Sequence, residues 1–245
     1  MSPFGRAFAD GDRLEVAGAA VRLKIHPRAR RVSLRLDRTR REIVATAPSA
    51  RRLGEAAAFA RSRADWIAAR LAELPEPCAV APGQIIELFG RPCRLEAWDR
   101  PARLLAATEA EPARILTRGE GEAYAAAVVR AIRREALRVL SERTARHAAR
   151  LGARLPSVTI MDARSRWGSC KPGRPGTPAA IRYSWRLALA PFEVADYVVA
   201  HECAHLLELN HGPRFWAHVA DLVGDVRPHR AWLRTHGARL HAFGR

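Results

Sequence analysis

Alternating apolar and polar residues mark the first third of the chain as strands followed by a helix. The period-two pattern covers 21–26 and 32–36, and a third run at 42–47 ends at Pro48. Such alternation places successive side chains on opposite faces of a sheet. From 53 to about 73, apolar residues recur every three or four positions, which predicts an amphipathic helix.

Further elements follow along the chain. Short runs at 84–89, 92–97, 103–108 and 114–117 predict a second small sheet whose strand order cannot be read from the sequence. The stretch 120–151 predicts a long helix, and 156–245 predicts two or three strands and three helices. The chain is thus expected to be an α+β protein with a basic β-strand and helix module at 1–75, a small β segment at 76–118 and a third domain at 119–245.

Composition adds a strong positive charge to this picture. The 245 residues carry a formal net charge of +17, and Lys24 and Lys171 are the only lysines. A genome bias explains the choice of arginine over lysine but not the excess of positive charge, so an anionic partner is predicted, most simply a nucleic acid. The densest basic region lies in the first module, where Arg28, Arg30, Arg31 and Arg35 are the candidate contacts. The alternative is a solvated sheet face.

Several classes of protein are disfavoured by the same composition. No apolar run approaches the length that spans a bilayer, and the first residues show no secretory signal. The four cysteines, Cys78, Cys93, Cys170 and Cys203, form no CxxC pair. The sequence therefore predicts a cytoplasmic protein with reduced thiols and no membrane partner, and it leaves the oligomeric state open.

The strongest chemical signal is the segment 201–211, which contains an HExxH motif. His201 and His205 are four residues apart, so on a helix both point to one side. The segment 191–209 contains no internal Pro or Gly, which predicts a helix that opens at Pro191 and ends near Asn210. Gly212 and Pro213 then predict a turn that could bring His211 back as a third nitrogen ligand.

Three histidine ligands and one carboxylate suit a hydrolytic zinc site. Three protein ligands leave one tetrahedral position for water, as in catalytic zinc sites. Zinc lowers the pKa of that water, and Glu202 could take its proton as general base. The alternative is a chance motif whose histidines are only partly buried polar residues.

Four linked motifs resemble the YgjP-like metallopeptidase family, which is similar in turn to SprT-like and WLM-type zincins. They are RWGSC at 166–170, the segment 181–187 that ends in WRL, the HExxH at 201–205 and HGPRFW at 211–216. The resemblance covers roughly residues 20 to 240. It implies a zincin-like catalytic domain, one zinc ion held by His201, His205 and His211, Glu202 as catalytic base, and a polypeptide substrate.

The RWGSC segment allows two interpretations. In zincins an edge strand beside the cleft pairs with extended substrate, and either 165–170 or 179–187 could serve, with Arg166, Trp167 and Gly168 as candidate contacts. Alternatively, Trp167 and Trp185 are core aromatics and Gly168 marks a bulge. A metzincin is disfavoured, because Glu208 stands where metzincins have Gly and no methionine turn follows.

Two other functions stay open at this point. A metal-dependent hydrolase of nucleotide phosphoanhydrides would also suit the arginine content, although no phosphate-cradling glycine motif is present. A nucleic-acid-binding module with a structural zinc would need a fourth protein ligand and no base, which Glu202 argues against. Cys170 is a weak candidate ligand, and Asp196 and Glu208 are candidate carboxylates behind the ligands.

Overall fold

The chain divides into two units, Met1–Glu76 and Pro77–Arg245. The computed structural model describes residues 8–37, 40–74, 79–163 and 166–244. The predicted boundary at 75–76 lies outside the described residues, and the predicted segments 76–118, apart from its first residue, and 119–245 fall in the second unit. The three-part division therefore stays a prediction, whereas the mixed α+β character of the fold is confirmed.

The first unit is a four-stranded sheet with two helices. Its elements are β1 (Arg13–Val16), β2 (Ala19–Ile25), β3 (Ser33–Asp37), β4 (Glu42–Ala47), α1 (Leu53–Arg61) and α2 (Ala64–Ala72). The strand order is β1-β2-β4-β3, with β2 and β4 parallel and the other pairs antiparallel. The three predicted strands are confirmed, and β1 was not predicted. Leu23, Ile43 and Leu53 lie fully buried in one core.

The predicted helix at 53–73 is two helices rather than one. The chain leaves α1 at Ser62, whose hydroxyl donates a hydrogen bond to the carbonyl of Phe59 at 2.9 Å. Arg63 takes a non-helical backbone conformation before α2 begins. A serine that bonds locally to the backbone competes with helical hydrogen bonding, which accounts for the break.

Three arginines surround a buried carboxylate in this unit, that of Glu42. The Nε of Arg22 donates to Glu42 at 2.8 Å, and Arg13 and Arg40 approach the same carboxylate within 3.5 Å. Glu42 is only 3% exposed. Burial without partners would be costly for this group, and the three guanidinium groups offset that cost.

The second unit carries two sheets and four α-helices among its described residues. Its elements are β5 (Ile85–Leu88), β6 (Arg91–Ala97), β7 (Arg103–Leu105), β8 (Ala113–Thr117), α3 (Gly121–Arg150), β9 (Ser157–Met161), β10 (Gly168–Lys171), β11 (Ala180–Ser184), α4 (Phe192–Ala204), α5 (Pro213–Val223) and α6 (Arg227–Ala242). The strand orders are β5-β6-β8-β7 and β10-β11-β9. A 3₁₀ turn, Trp185–Leu189, joins β11 to α4.

One core joins the long helix to the helix of the HExxH motif. Tyr124, Val128 and Ile132 of α3 are fully buried and belong to the same cluster as Val198 and Val199 of α4. Trp185 is 2% exposed, so this tryptophan is a core aromatic. Of the helices that the structure describes, none is long and apolar enough to cross a bilayer.

Candidate metal centre

The helix α4 presents the first half of the HExxH motif. Pro191 precedes its first turn, and the carbonyl of Pro191 accepts from the amides of Val194 and Ala195, both at 3.1 Å. A proline fits this place because its fixed φ and missing N–H cost nothing there. Nearly all of α4 is buried, which fixes the direction in which His201 points.

The predicted helix end near Asn210 is wrong. The helix α4 ends at Ala204, and His205 is its C-terminal cap. The amides of Leu206 and Leu207 bond back only three residues, to Cys203 and Ala204, which tightens the chain into turns. The chain then reverses, and α5 starts with Pro213 in its first turn. This early end leaves a loop long enough to carry His211 back toward α4.

The turn brings the three imidazoles together. The ligating nitrogens of His201, His205 and His211 lie within 4.8 Å of one another. The Nε2 atoms of His201 and His211 are 3.2 Å apart. Zinc–nitrogen bonds of about 2.0–2.1 Å at a tetrahedral angle place two ligand nitrogens about 3.3 Å apart. The closest pair therefore has the spacing that one zinc ion requires, and the third imidazole lies close enough to join it.

The orientation and protonation of the rings also suit a metal. The Nδ1 of His205 lies 3.0 Å from the carbonyl of Glu208 and donates to it, which leaves Nε2 as the free acceptor. Burial lowers the pKa of His201 to about 4, helped by His205 and His211, and burial also lowers the pKa of His205. Neutral imidazoles are the form that binds metal.

A buried aromatic ring supports all three histidines. The ring centroid of Phe215 lies 4.9 Å from that of His201 and 4.6 Å from those of His205 and His211. Phe215 is fully buried at the first turns of α5. The sequence showed Phe215 only as an apolar position of a helix, and its role beneath the imidazoles is visible only in the fold.

No cysteine belongs to this cluster among the described residues. Burial raises the pKa of the Cys170 thiol to about 11 and that of the Cys203 thiol to about 12. Cys93, Cys170 and Cys203 are free thiols, and Cys78 lies outside the described residues. Of the His, Cys, Asp and Glu side chains that the structure describes, only the three histidines form a metal-suited group of three or more.

Glu202 lies in a buried position between α4 and β10. Glu202 is 5% exposed, and burial raises its pKa to about 7, while the charge of Arg166 acts in the opposite direction. A Cβ atom on Gly168 would meet the Cγ of Glu202 at 2.6 Å and its Cδ at 2.7 Å. The backbone of β10 therefore lies directly against this carboxylate, and only glycine leaves it room.

The sheet beside Glu202 has two edge strands, β9 and β10, and β10 is the one that lies against the carboxylate. The strand β11 pairs with β10 on one side and with β9 on the other, so the predicted substrate-binding role for 179–187 is wrong. The strand β10 is at the edge of this sheet. An edge strand presents unpaired backbone groups with which an extended chain can pair.

Arg166 and Trp167 lie just before this edge. Arg166 is exposed, and its charge reaches Glu202. Trp167 is half-buried and stacks on His241 of α6, with ring centroids 4.9 Å apart. A Cβ on Gly237 would meet Trp167 at 2.9 Å. Trp167 thus packs against α6 and fixes the segment that leads into β10.

The candidate carboxylates behind the ligands are placed differently from the prediction. Asp196 accepts hydrogen bonds from Arg143 at 2.8 and 2.7 Å, and the Nε2 of His147 lies 2.7 Å from it. These groups anchor α4 to α3 rather than orienting a ligand. Glu208 contributes its backbone carbonyl to His205, and its carboxylate lies 4.0 Å from Arg214.

The predicted nucleic-acid contacts lie on the first unit. Arg28, Arg30 and Arg31 are exposed in the segment between β2 and β3, and Arg35 is exposed on β3. Within the described ranges, none of the four forms an ion pair with a carboxylate. Their exposure is compatible both with an anionic partner and with a solvated face.

Comparison with known proteins identifies one family. The sequence model of the YgjP-like metallopeptidase domain matches residues 30–236. Neither a search of curated proteins nor a search of solved structures finds a match.

Proposed function

The chain belongs to the YgjP-like metallopeptidase family, and on that premise we propose that it is a zinc-dependent peptidase of the HExxH type, with a zincin-like catalytic domain. One observation carries the proposal. A buried carboxylate, Glu202, stands beside three converging imidazoles at the open edge of a sheet. A structural metal site would need a fourth protein ligand and would have no use for a base.

The metal would be held by His201, His205 and His211. When bound, zinc supplies a Lewis acid that polarises the scissile carbonyl and lowers the pKa of water in the site. His205 is fixed in the required tautomer by the carbonyl of Glu208, and Phe215 limits the tilt of all three rings. The chain thus holds the donor nitrogens in place before the metal arrives, which favours its binding.

Glu202 would handle the proton. Its carboxylate takes the proton of the attacking water, and the same oxygen later delivers that proton to the leaving amine. The contact with Gly168 prevents the side chain from swinging toward β10, so the carboxylate keeps one orientation. Because Glu202 is buried, bulk water would not compete with the reacting groups for this proton.

The polypeptide substrate would bind along β10. An extended chain that pairs with the free edge of β10 passes directly beside Glu202, because Gly168 touches that carboxylate. Main-chain pairing tolerates many side chains, so we expect broad sequence preference. Arg166 would contact the substrate from the entrance of this strand, while Trp167 keeps the strand in position.

A nucleic-acid partner is the second part of the proposal. Arg28, Arg30, Arg31 and Arg35 are exposed and without carboxylate partners among the described residues, which suits contact with phosphates. The free thiols of Cys93, Cys170 and Cys203 suit a reducing compartment, and we place the activity in the cytoplasm.

The test is cleavage of a permanently unfolded protein by the zinc-loaded chain. We expect fragments from the wild type, none from Glu202→Gln, and undiminished cleavage by Glu193→Gln, which changes an exposed glutamate on the same helix. Adding single-stranded DNA tests the partner. If zinc binds stoichiometrically yet no fragment forms with or without DNA, the peptidase proposal fails and nucleotides become the next substrates to try.

A further inference from the structure

A groove rich in arginine runs beside α3 on the second unit. Its larger part is a hollow of about 660 Å³ that four arginines line and no acidic residue lines. A smaller hollow of about 330 Å³ adjoins it and shares Ala102 and Arg134 with it. We call this surface the arginine furrow and define it by Arg103, Arg118, Arg130, Arg133, Arg134 and Arg138.

Most of the furrow's positive charge has no nearby counter-charge. Arg118 and Arg130 are exposed and form no ion pair with the carboxylates that the structure describes. Arg134 donates to the carbonyl of Ala102 at 3.0 Å, which orients the side chain and leaves its charge unneutralised. The charge of Arg133 helps to lower the pKa of Asp162, but Asp162 already forms an ion pair with Arg186. Clustered like charges of this kind raise the local potential and attract an anion.

Among the described residues that line the furrow, only Glu135, at one end, carries a carboxylate. Arg138 pairs with Glu135 at 2.6 Å and approaches Glu142 at 3.6 Å. Glu135 lines the smaller hollow, whereas the larger hollow has no acidic wall. The positive potential is therefore strongest between Arg118 and Arg134.

The spacing of the arginines suits a linear anion better than a point charge. Arg130, Arg134 and Arg138 are four residues apart along α3, so their side chains share one face and span about 12 Å. A nucleic-acid strand carries its negative charges in a row along the backbone. A row of arginines thus matches it better than it matches a single small anion.

The lining also limits what the anion can be. Within the described residues, neither hollow has an aromatic wall on which a base could stack. The apolar lining is Pro101, small alanines and the half-buried Leu104, which offers nothing that would insert into a bilayer. Guanidinium groups bind phosphate oxygens in a bidentate way.

We propose that the arginine furrow binds the phosphodiester backbone of a nucleic-acid strand without reading its bases. The site is separate from the four arginines of the first unit and contains no residue of the metal centre. It needs neither zinc nor peptide cleavage, so it stands or falls independently of the peptidase proposal.

The experiment measures binding of a labelled twelve-nucleotide strand to the full chain at several salt concentrations. The test variant is Arg118→Ala with Arg130→Ala, and the control is Arg154→Ala with Arg234→Ala, two exposed arginines outside the furrow. Both variants lose the same net charge. Removing two phosphate contacts to a single strand lowers the slope of log affinity against log salt by about 1.4. We expect that loss and a weakening of about tenfold only in the furrow variant.

Each other outcome overturns the proposal. Equal losses in the furrow and control variants would mean a general charge effect, and a loss confined to Arg28→Ala with Arg30→Ala would place all binding on the first unit. If pyrophosphate displaces the labelled strand as well as unlabelled oligonucleotide does at equal phosphate concentration, the furrow is a site for a small ligand. Vesicles of anionic phospholipid that bind through the furrow, while the oligonucleotide does not, would mean a membrane surface.

Discussion

Gly168 lies against Glu202, and the two residues are matched in shape: a Cβ at position 168 would fall 2.6 Å from the Cγ of the glutamate. Gly168 does not have a positive φ, so the backbone conformation alone does not demand glycine there. The demand comes from the carboxylate itself. A position in β10 thus determines where the Glu202 carboxylate on α4 can lie.

This relationship predicts the effect of Gly168→Ala. The added methyl group would displace the Glu202 carboxylate from its present position, and displacements of about 1 Å can lower kcat by about a hundredfold. Zinc content should stay at one per chain, because the three histidines are untouched. The control is Gly54→Ala, a helical glycine with open space around it. Unchanged peptidase activity in Gly168→Ala would contradict the role assigned to this contact.

Zinc should stabilise the wild type through the histidine cluster. A ligand at about 1,000 times its Kd adds about 4 kcal/mol to the free energy of unfolding. Because His211 is exposed, His211→Ala should leave the metal-free protein as stable as before and remove most of the zinc-dependent rise in Tm. Thermal unfolding with and without zinc measures this. His26→Ala, an exposed histidine of the first unit, should keep the full rise; an equal rise in both variants would exclude His211 as a ligand.

The buried ion pair of α4 should matter more than an exposed one. Replacing Asp196 by Ala leaves Arg143 and His147 without their partner, and breaking a buried pair costs about 3–5 kcal/mol. The matched change is Asp221→Ala, whose ion pair with Arg150 is 3.7 Å long and exposed. Exposed pairs contribute about 0–1 kcal/mol. Urea unfolding should separate the two variants clearly, and similar midpoints would refute the anchoring role of Asp196.

The contribution of Asp196 should also depend on pH in a defined direction. Burial raises the pKa of its carboxyl, but hydrogen bonds from His147 and Arg143 outweigh burial and hold that pKa below the ordinary 3.8. A lowered folded-state pKa means stability that is present in full above the unfolded value and lost as the pH falls through the folded value. The difference in unfolding free energy between wild type and Asp196→Asn should therefore shrink as the pH falls below about 4, within the folded range. A difference that grows as the pH falls below about 4 would contradict this.

The sequence predicted those parts of the site that depend on local geometry. His201 and His205 share a helix face because residues four apart always do. The return of His211 followed from the turn signals at Gly212 and Pro213, although the helix ends six residues earlier than Asn210. The apolar residues after Ala204 continue a helical pattern, so only the backbone bonds of the turn reveal the true end.

Long-range contacts could not be predicted in the same way. Nothing in the sequence relates Gly168 to Glu202, or Phe215 to the imidazoles above it, because those contacts depend on how β10 and α5 pack against α4. Asp196 anchors α4 to α3 rather than orienting a histidine, and this too depends on a long-range contact. Its partners His147 and Arg143 lie about fifty residues earlier, on α3. Strand order is likewise a tertiary property, and it decided which segment has a free edge.

The stacking of Trp167 on His241 links α6 to the edge strand beside Glu202. The segment that leads to β10 is held by α6 through Gly237 and His241. The three clustered histidines lie outside α6. Loosening of α6 would therefore release the segment before β10 and leave the histidine cluster intact, so the second unit fixes its edge strand and its imidazoles through different helices.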